Sequence, residues 1–248
     1  MVFKFIILGL IQGLTEFLPV SSSGHLVICQ RLLGLSGQEV ALSVILHIGT
    51  LLAILVFFFR EILKAFSNAR LILLILLATF ITGAAGLLGK EFFEGLFSSP
   101  RAVALAWFAT GLLLLFTKKA MDGKRKEINL KDATVLGFTQ AIAIIPGISR
   151  SGVTISTLLF RKLDRSASFV LSFIVGLPVI LGAGILEAKD IGSVLKGNLL
   201  VMAIGFTVSF LSGLLALALL KKVMDKAGFH YFGYYCIAVS LAVFLFIH

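Results

Sequence analysis

Charged residues are scarce in this chain. Only 14% of its 248 residues are Asp, Glu, Lys or Arg, and 59% are hydrophobic. Soluble globular domains carry about 25% charged and roughly 45–50% apolar residues. The apolar residues here form successive blocks of about 16 to 22, and a helix needs ~20 of them to cross a bilayer. The sequence therefore excludes one large soluble core and predicts an all-α integral membrane protein.

Cysteines and nucleotide-binding motifs are equally sparse. The two cysteines, Cys29 and Cys236, lie in apolar stretches without a CxxC pair or a Cys/His cluster, so they indicate no metal centre. The absence of a Walker-type loop and of a Rossmann glycine pattern argues against a nucleotide-driven pump. The net charge of +10 comes mainly from inter-helix loops, where the positive-inside rule explains it, so we expect no nucleic-acid partner. No small-residue cleavage site follows the first apolar run, so we expect no removable signal peptide.

Six apolar stretches are long enough to cross the membrane, at about residues 40–59, 70–89, 102–117, 167–187, 198–220 and 231–247. Segments 3–35 and 132–160 are also apolar, but Pro19 interrupts the first and Pro146 the second. Each half is ~12 to 15 residues, or roughly 18 to 22 Å, too short to cross. We predict two re-entrant helix-break-helix hairpins, with ordinary kinked spans or interfacial helices as the alternative.

The two broken segments resemble each other. Residues 8–12 (LGLIQ) match residues 136–140 (LGFTQ) at an offset of 128, and each stretch leads to a proline and a serine-containing turn. Each half of the chain then holds one hairpin and three spans, and because three is odd, the second half is inverted relative to the first. We predict one membrane domain over 1–248, built from inverted repeats at about 1–120 and about 130–248.

Basic residues give the orientation of this arrangement. Of the 22 Lys and Arg residues, fifteen fall on one set of connections and six on the other. The richer side is expected to be cytoplasmic, which places both termini outside. Only Arg150 falls inside a membrane segment, where a charge costs at least ~2.5–3.5 kcal/mol and is normally retained for function.

Arg150 needs an anionic partner, and two candidates exist. One is Glu16, the acidic residue of the first broken segment. The other is a ligand bound where two half-helices begin, since free N–H groups and positive dipole ends bind phosphate or carboxylate. Two helix starts and a guanidinium accommodate more negative charge than one Glu supplies, which favours a phosphate ligand.

Residues 21–23 are three serines that directly follow the first break. One of them is expected only to cap a helix. If the helix begins near Ser21, Ser22 and His25 share one face at i, i+3, which places a base beside a potential nucleophile. The alternative for His25 is a hydrogen bond to a carbonyl group.

Gln12 and Glu16 lie at i, i+4 on the first half-helix. Glu16 can serve as a general base, as a metal ligand or as the group that orients His25. Weaker candidates, for which packing or helix–helix hydrogen bonding is the alternative, are His47, Thr50, Gln140 and Thr154. Such a set suits phosphoryl transfer, which requires mainly positioning and charge stabilisation.

Residues 12–25 (QGLTEFLPVSSSGH) and 146–154 (PGISRSGVT) closely resemble the two motifs of the undecaprenyl-diphosphate phosphatases of the bacitracin-resistance type. Residues 47–53 (HIGTLLA) resemble a further family segment, and length and hydropathy agree along the whole chain. The resemblance implies a multi-pass enzyme of the bacterial cytoplasmic membrane. It would hydrolyse undecaprenyl diphosphate to undecaprenyl phosphate, recycle the lipid carrier of cell-wall synthesis, and depend on Mg²⁺ or Ca²⁺.

The family's motif roles carry over onto Glu16, Ser21, Ser22, His25, Ser149, Arg150 and Thr154. With the reasoning above, the catalytic candidates are Glu16, Ser22, His25 and Arg150. The substrate-binding candidates are Gln12, Ser21, Ser23, Ser149, Ser151 and Thr154. Many members have Glu where this chain has Gln12. That leaves one motif carboxylate, which argues against direct metal binding by the protein. The cation is therefore expected to arrive with the diphosphate, and Glu16 is the possible protein ligand.

Our hypothesis is that the diphosphate enters from the outer side and that Arg150 and the half-helix N–H groups hold its oxygens. Ser22 attacks the terminal phosphorus while His25 or Glu16 takes its proton, or water attacks directly and Ser22 only binds phosphate. The main alternative is a transporter that flips polyprenyl phosphate, since inverted repeats with broken helices are typical of transporters. An ion channel or a structural membrane partner is a third reading. A homodimer is the candidate assembly.

Overall fold

The computed structural model describes residues 2–34, 43–187 and 199–247, and the regular structure in these ranges is helical. Their α-helices are, in chain order, α1 Val2–Phe17, α2 Ser22–Leu32, α3 Ser43–Phe57, α4 Phe59–Phe66, α5 Ala69–Leu88, α6 Lys90–Phe97, α7 Pro100–Phe116, α8 Leu130–Ile142, α9 Arg150–Phe160, α10 Arg165–Glu187, α11 Leu199–Asp225 and α12 Tyr231–Phe246. A 3₁₀ turn, Thr117–Ala120, extends α7.

Four helices are long and apolar enough to cross a membrane, namely Ala69–Leu88, Pro100–Ala120, Arg165–Ile185 and Leu199–Asp225. Val44–Phe57 and Phe59–Phe66 form a fifth candidate, bent by 74°. Large apolar side chains such as Phe80 and Leu88 lie exposed on the outer faces, as expected of surfaces that contact lipid. These findings confirm a multi-pass helical membrane protein.

The sixth predicted span corresponds to α12. It is apolar but has only 16 residues, or about 24 Å at the rise of an α-helix. The first residues of the predicted spans at 40–59 and 198–220 lie outside the described residues. Six separate crossings therefore stay a prediction.

Both broken segments form pairs of short helices. In the first, α1 has 16 residues and α2 has 11; in the second, α8 has 13 and α9 has 11. The two breaks follow from local chemistry, because Pro19 and Pro146 each remove a backbone N–H donor and Gly147 adopts a φ of 97°. Ser21 also has a positive φ, 65°, which is uncommon for a residue with a Cβ.

The second helix of each hairpin begins with the same cap. Ser21 Oγ accepts a hydrogen bond from Gly24 N (3.4 Å), and Ser149 Oγ accepts one from Gly152 N (3.1 Å). Ser149 follows Ser21, and Gly152 follows Gly24, by the repeat offset of 128 residues. Residue 21 of the serine run is thus the one that caps the helix, and the related sequences of the two halves fold alike at this point.

Each hairpin packs against the other half of the chain. Helix α1 lies along α11, and α8 lies along α5. The Ser212 hydroxyl donates to the Gly9 carbonyl (3.3 Å), and the Thr82 hydroxyl donates to the Gly137 carbonyl (3.0 Å). Gly9 and Gly137 are again 128 residues apart, so the first helix of each hairpin packs, at the equivalent glycine, against a helix from the other half of the chain. The inverted orientation of the halves across the bilayer stays a prediction.

An aromatic cluster fixes the C-terminal end of α1. Phe17 is fully buried, and its ring meets Phe173 edge-on with centroids 5.7 Å apart. Phe173 in turn stacks on Phe58 at 5.4 Å. Rings of this size contribute both buried area and preferred geometry, so the residue before Phe17, which is Glu16, is held at a defined position.

A buried carboxylate closes the base of the second hairpin. The fully buried Asp132 accepts two hydrogen bonds from Arg125 (2.9 and 3.1 Å) and one from Arg161 (2.6 Å). It also forms a capping box with Asn129. Because Arg161 follows the last residue of α9 and Asp132 lies in the first turn of α8, this cluster fixes the helix that begins with Arg150.

Candidate active site

Glu16 is the centre of the polar cluster between the two breaks. Its Oε2 accepts hydrogen bonds from the Ser22 hydroxyl (2.6 Å) and from Gln12 Nε2 (3.1 Å). Its Oε1 accepts one from Arg150 Nη2 (2.9 Å). One carboxylate thus joins the first half-helix, the start of α2 and the start of α9.

The pair of Arg150 and Glu16 links residues 134 positions apart, and their side chains are 15% and 10% exposed. Glu16, the internal partner considered for Arg150 in the sequence, is therefore the partner observed. A buried ion pair in a low-dielectric surrounding contributes little net stability, so stability alone does not explain it. Arg150 also keeps unused capacity, since Nη1 is buried and has no hydrogen-bond partner among the described residues.

A cavity of about 210 Å³ opens above this cluster. Its polar floor comprises Glu16, Ser21, Ser22, Ser23, Ser149 and Arg150. Its apolar walls include Ile48, Leu51, Ile144, Ile148, Val179, Ile180 and Ala183. Thr15, His47, Ala143 and Gly184 complete the lining. A cavity with a cationic, hydroxyl-rich floor and apolar walls suits a molecule with an anionic head and a hydrocarbon chain.

The sequence model of the family described as "Bacitracin resistance protein BacA" matches residues 5–242. A relative named "Undecaprenyl-diphosphatase" from Halothermothrix orenii is 41% identical over 98% of this chain and 97% of its own length. Proteins of the same name from Thermotoga petrophila (40%, over 97% and 98%) and Methanobrevibacter smithii (36%, over 97% and 95%) also align. The chain belongs to this family. This confirms the family that the two motifs of the sequence predicted.

Three predicted substrate-binding residues of this BacA family chain do not line the cavity. Gln12 is fully buried and bonds Glu16. The Ser151 hydroxyl donates to the Leu18 carbonyl (3.4 Å). The Thr154 hydroxyl donates to the carbonyl of Arg150 (2.8 Å). All three lie on helix faces that pack inward, so they contact the residues that form the floor rather than the cavity itself.

His25 requires a correction. Its Nδ1 lies 2.8 Å from the Ser21 carbonyl, and its Nε2 lies 2.8 Å from the hydroxyl of Tyr235. A carbonyl only accepts, so Nδ1 carries the proton. The structure does not bring His25 to Ser22, because the imidazole reaches back one turn to the carbonyl of Ser21 while Ser22 turns towards Glu16. The titratable side chain bonded to Ser22 is Glu16.

Two aromatic residues of the site were missed by sequence reasoning. Trp107 Nε1 donates to the Val20 carbonyl (2.7 Å), and the Trp107 ring meets His25 edge-on at 4.9 Å. The Tyr235 ring lies parallel to that of His25, with centroids 5.8 Å apart. A signal was present, since Trp107 and Tyr235 are separated by the repeat offset of 128. These two aromatic residues hold the strained turn that precedes Ser22.

The weaker candidates separate into two groups. His47 lines the cavity, which brings it into the site. The Thr50 hydroxyl donates to the His47 carbonyl (2.9 Å), a bond within its own helix. Gln140 is buried behind the floor, and neither of its amide atoms has a partner among the described residues.

Carboxylates are few at this site. Among the described residues, no group of three or more His, Cys, Asp or Glu side chains could hold a metal ion. The carboxylate that lines the cavity is that of Glu16. Mg²⁺ is commonly held by one or two carboxylates together with substrate phosphates, and the residues present fit that arrangement.

Proposed function

We propose that this protein hydrolyses undecaprenyl diphosphate to undecaprenyl phosphate and inorganic phosphate, and so recycles the lipid carrier of cell-wall synthesis. Relatives that align over nearly its whole length bear the name undecaprenyl-diphosphatase. The observation that carries the proposal is the Glu16 carboxylate, which accepts from Ser22 and Arg150 at the floor of an apolar-walled cavity. A hydroxyl, a base and a guanidinium at one point suit phosphoryl transfer.

Substrate binding changes the partner of Arg150. A diphosphate that enters the cavity offers oxygens that match the guanidinium fork, and the first amides of α2 and α9, which have no intrahelical acceptor, add further donors. Glu16 then loses its cationic partner and becomes available to accept a proton. The apolar walls hold the first prenyl units.

Two routes follow from this arrangement. In one, Glu16 takes the proton of Ser22 while Oγ bonds to the terminal phosphorus, and the bond from that phosphorus to the bridging oxygen breaks to release undecaprenyl phosphate. Water then hydrolyses the phosphoserine. In the other, Glu16 takes a proton from water while the water oxygen bonds to the terminal phosphorus, and the bond from that phosphorus to the bridging oxygen breaks to release undecaprenyl phosphate and inorganic phosphate; Ser22 binds a phosphate oxygen. His25 serves neither route as the base, because Ser21 and Tyr235 engage both ring nitrogens.

A divalent cation, Mg²⁺ or Ca²⁺, belongs to the proposal as an expectation from the family. Glu16, the carboxylate that lines the cavity, would hold it together with the diphosphate oxygens, in place of acting as the base. Bound there, it would neutralise negative charge that develops on the phosphate groups.

We propose that the cavity opens to the outer face of the bacterial cytoplasmic membrane, with both termini outside; a homodimer remains the candidate assembly. The asymmetry of basic residues supports this orientation. Labelling of single-cysteine variants, in a chain whose Cys29 and Cys236 are replaced by serine, tests it. A membrane-impermeant maleimide should label Glu94→Cys on intact cells and Asp122→Cys only after lysis. The reverse pattern would overturn the orientation.

The decisive experiment measures inorganic phosphate released from undecaprenyl diphosphate by the purified protein in detergent with Mg²⁺ or Ca²⁺. Wild type should release phosphate, and Arg150→Ala should release almost none. Arg101→Ala, which removes an exposed arginine, is the matched control and should behave like wild type. No release by folded wild type with either cation would overturn the hydrolase.

The transporter that the repeat architecture suggested is not favoured, because the names of the aligned relatives describe a diphosphatase. It would return as the first candidate only if folded protein released no phosphate while moving polyprenyl phosphate between leaflets.

A further inference from the structure

Three polar atoms behind the cavity floor have no hydrogen-bond partner among the described residues. They are both amide atoms of Gln140 and Nη1 of Arg150. Gln140 is 2% exposed, so water outside the protein does not reach it. A buried amide without partners is costly in an apolar surrounding, and more so within a bilayer. These groups therefore require an explanation in terms of one another or of a ligand.

The repeat shows why Gln140 lacks the partner that its counterpart has. Gln12, 128 residues earlier, donates Nε2 to Glu16 at i+4. At the corresponding place of the second hairpin, the residue four positions after Gln140 is Ile144, which offers no acceptor. The amide of Gln140 is thus free to serve another group.

Gly176 of α10 places Gln140 beside Arg150. A Cβ on Gly176 would lie 2.5 Å from Nη1 of Arg150 and 3.6 Å from Oε1 of Gln140. Both atoms therefore border the space that this glycine leaves open. Their separation is at most about 6 Å, which a change of side-chain rotamer or one bridging water covers. Nη1 of Arg150 is a donor without an acceptor, and Oε1 of Gln140 is an acceptor without a donor.

We infer that Gln140 is a positioning residue for Arg150: its amide oxygen accepts a hydrogen bond from Nη1, directly or through one water, and so directs Nη2 towards Glu16 and the diphosphate. The inference rests on the proposed function. Gln140 contacts no reacting atom, because it does not line the cavity. Its contribution matters most when substrate takes Arg150 from Glu16, since the guanidinium then loses its protein anchor on one side.

The test compares two substitutions of nearly equal size. Gln140→Met keeps the length of the side chain but removes the acceptor, whereas Gln140→Glu keeps an acceptor at the same place. We expect Gln140→Met to lower kcat/KM for undecaprenyl diphosphate by about tenfold or more, since small displacements of a positioned group cost that much, and Gln140→Glu to retain more activity than Gln140→Met. KM should rise more than kcat falls, because Arg150 holds the substrate before and during reaction.

A purely structural role for Gln140 predicts the opposite order. A buried methionine would then be tolerated and a buried glutamate would be the more damaging change. Activity of Gln140→Met equal to wild type, or above that of Gln140→Glu, overturns the inference. If Gln140→Met does not fold, judged by its melting temperature in detergent, Gln140→Asn replaces it, because the shorter side chain withdraws the amide from Nη1 and should lower kcat/KM in the same way.

The outcome is separable from that of the proposed function. Absence of phosphate release by folded wild type refutes the hydrolase itself. Active wild type with an unaffected Gln140→Met variant refutes only the role of Gln140. Gly176→Ala offers an independent check, because its methyl group would displace Nη1 and should also lower kcat/KM; unchanged activity in that variant counts against the inferred placement of the guanidinium.

Discussion

Ser22 and Arg150 occupy the same position in two related helices, each the first residue after a serine cap, and both donate a hydrogen bond to Glu16. They are 128 residues apart in the sequence. The two halves thus contribute different chemistry from equivalent places, a hydroxyl from one and a cation from the other. This relationship leads to predictions that separate the roles of the individual side chains.

Glu16→Gln should lower kcat for phosphate release by about 100-fold or more, because general-base catalysis contributes 10²–10⁴-fold and the amide cannot accept a proton. Phosphate release by purified protein measures it. Glu94→Gln, at an exposed surface pair with Lys90, is the matched control. Activity of Glu16→Gln within a few-fold of wild type would rule out Glu16 as the base.

Ser22→Ala distinguishes the two routes. If Ser22 is the nucleophile, the variant should be inactive, and wild type quenched in acid during turnover should contain phosphoserine at Ser22 by mass spectrometry. If water attacks, residual turnover persists without any phosphoserine. Ser240→Ala, which removes a buried hydroxyl bonded to the Ala104 carbonyl, controls for the loss of a buried serine and should keep wild-type turnover.

His25 should behave as a structural support for the turn rather than as the base. His25→Asn, which can still donate to the carbonyl of Ser21, is expected to retain more activity than His25→Ala, and its pH–rate profile should keep the acid limb of wild type. Tyr235→Phe, which removes the hydroxyl bonded to Nε2, should act similarly and mildly. Loss of the acid limb in His25→Asn would show that the imidazole titrates in catalysis.

Asp132→Ala should destabilise the protein by about 1–3 kcal/mol, because it removes the hydrogen bonds of the buried carboxylate to Arg125 and Arg161. In the loop, the hydrogen bond to Asp132 raises the pKa of Arg125 above its ordinary value, so the pair stays charged. Thermal unfolding in detergent measures the loss. Asp122→Asn, an exposed carboxylate in the same connection, should melt with wild type. An unchanged melting temperature for Asp132→Ala would contradict the anchoring role.

Much of this protein follows from local sequence. Hydropathy depends on neighbouring residues alone, so the spanning helices fall where the apolar blocks predicted them. Pro19 and Pro146 mark the breaks because each lacks a backbone N–H and lies near a residue of positive φ, Ser21 or Gly147; proline alone does not end a helix here, since Pro178 lies inside α10. The cap formed by Ser21 and the family motifs are likewise local. The accumulation of Glu16, Ser22 and Arg150 near two breaks is therefore sufficient, as a sequence pattern, to indicate the region of the site.

Tertiary structure decided how those residues are paired. Spacing within a helix placed His25 beside Ser22, but the positive φ of Ser21 and the position of Tyr235, more than 200 residues away, turn the imidazole elsewhere. The pairing of Arg150 with Glu16 and the placement of Gln140 behind Arg150 depend on how two hairpins meet. Sequence determines each helix through interactions along the chain, whereas these contacts join residues brought together only when the helices pack.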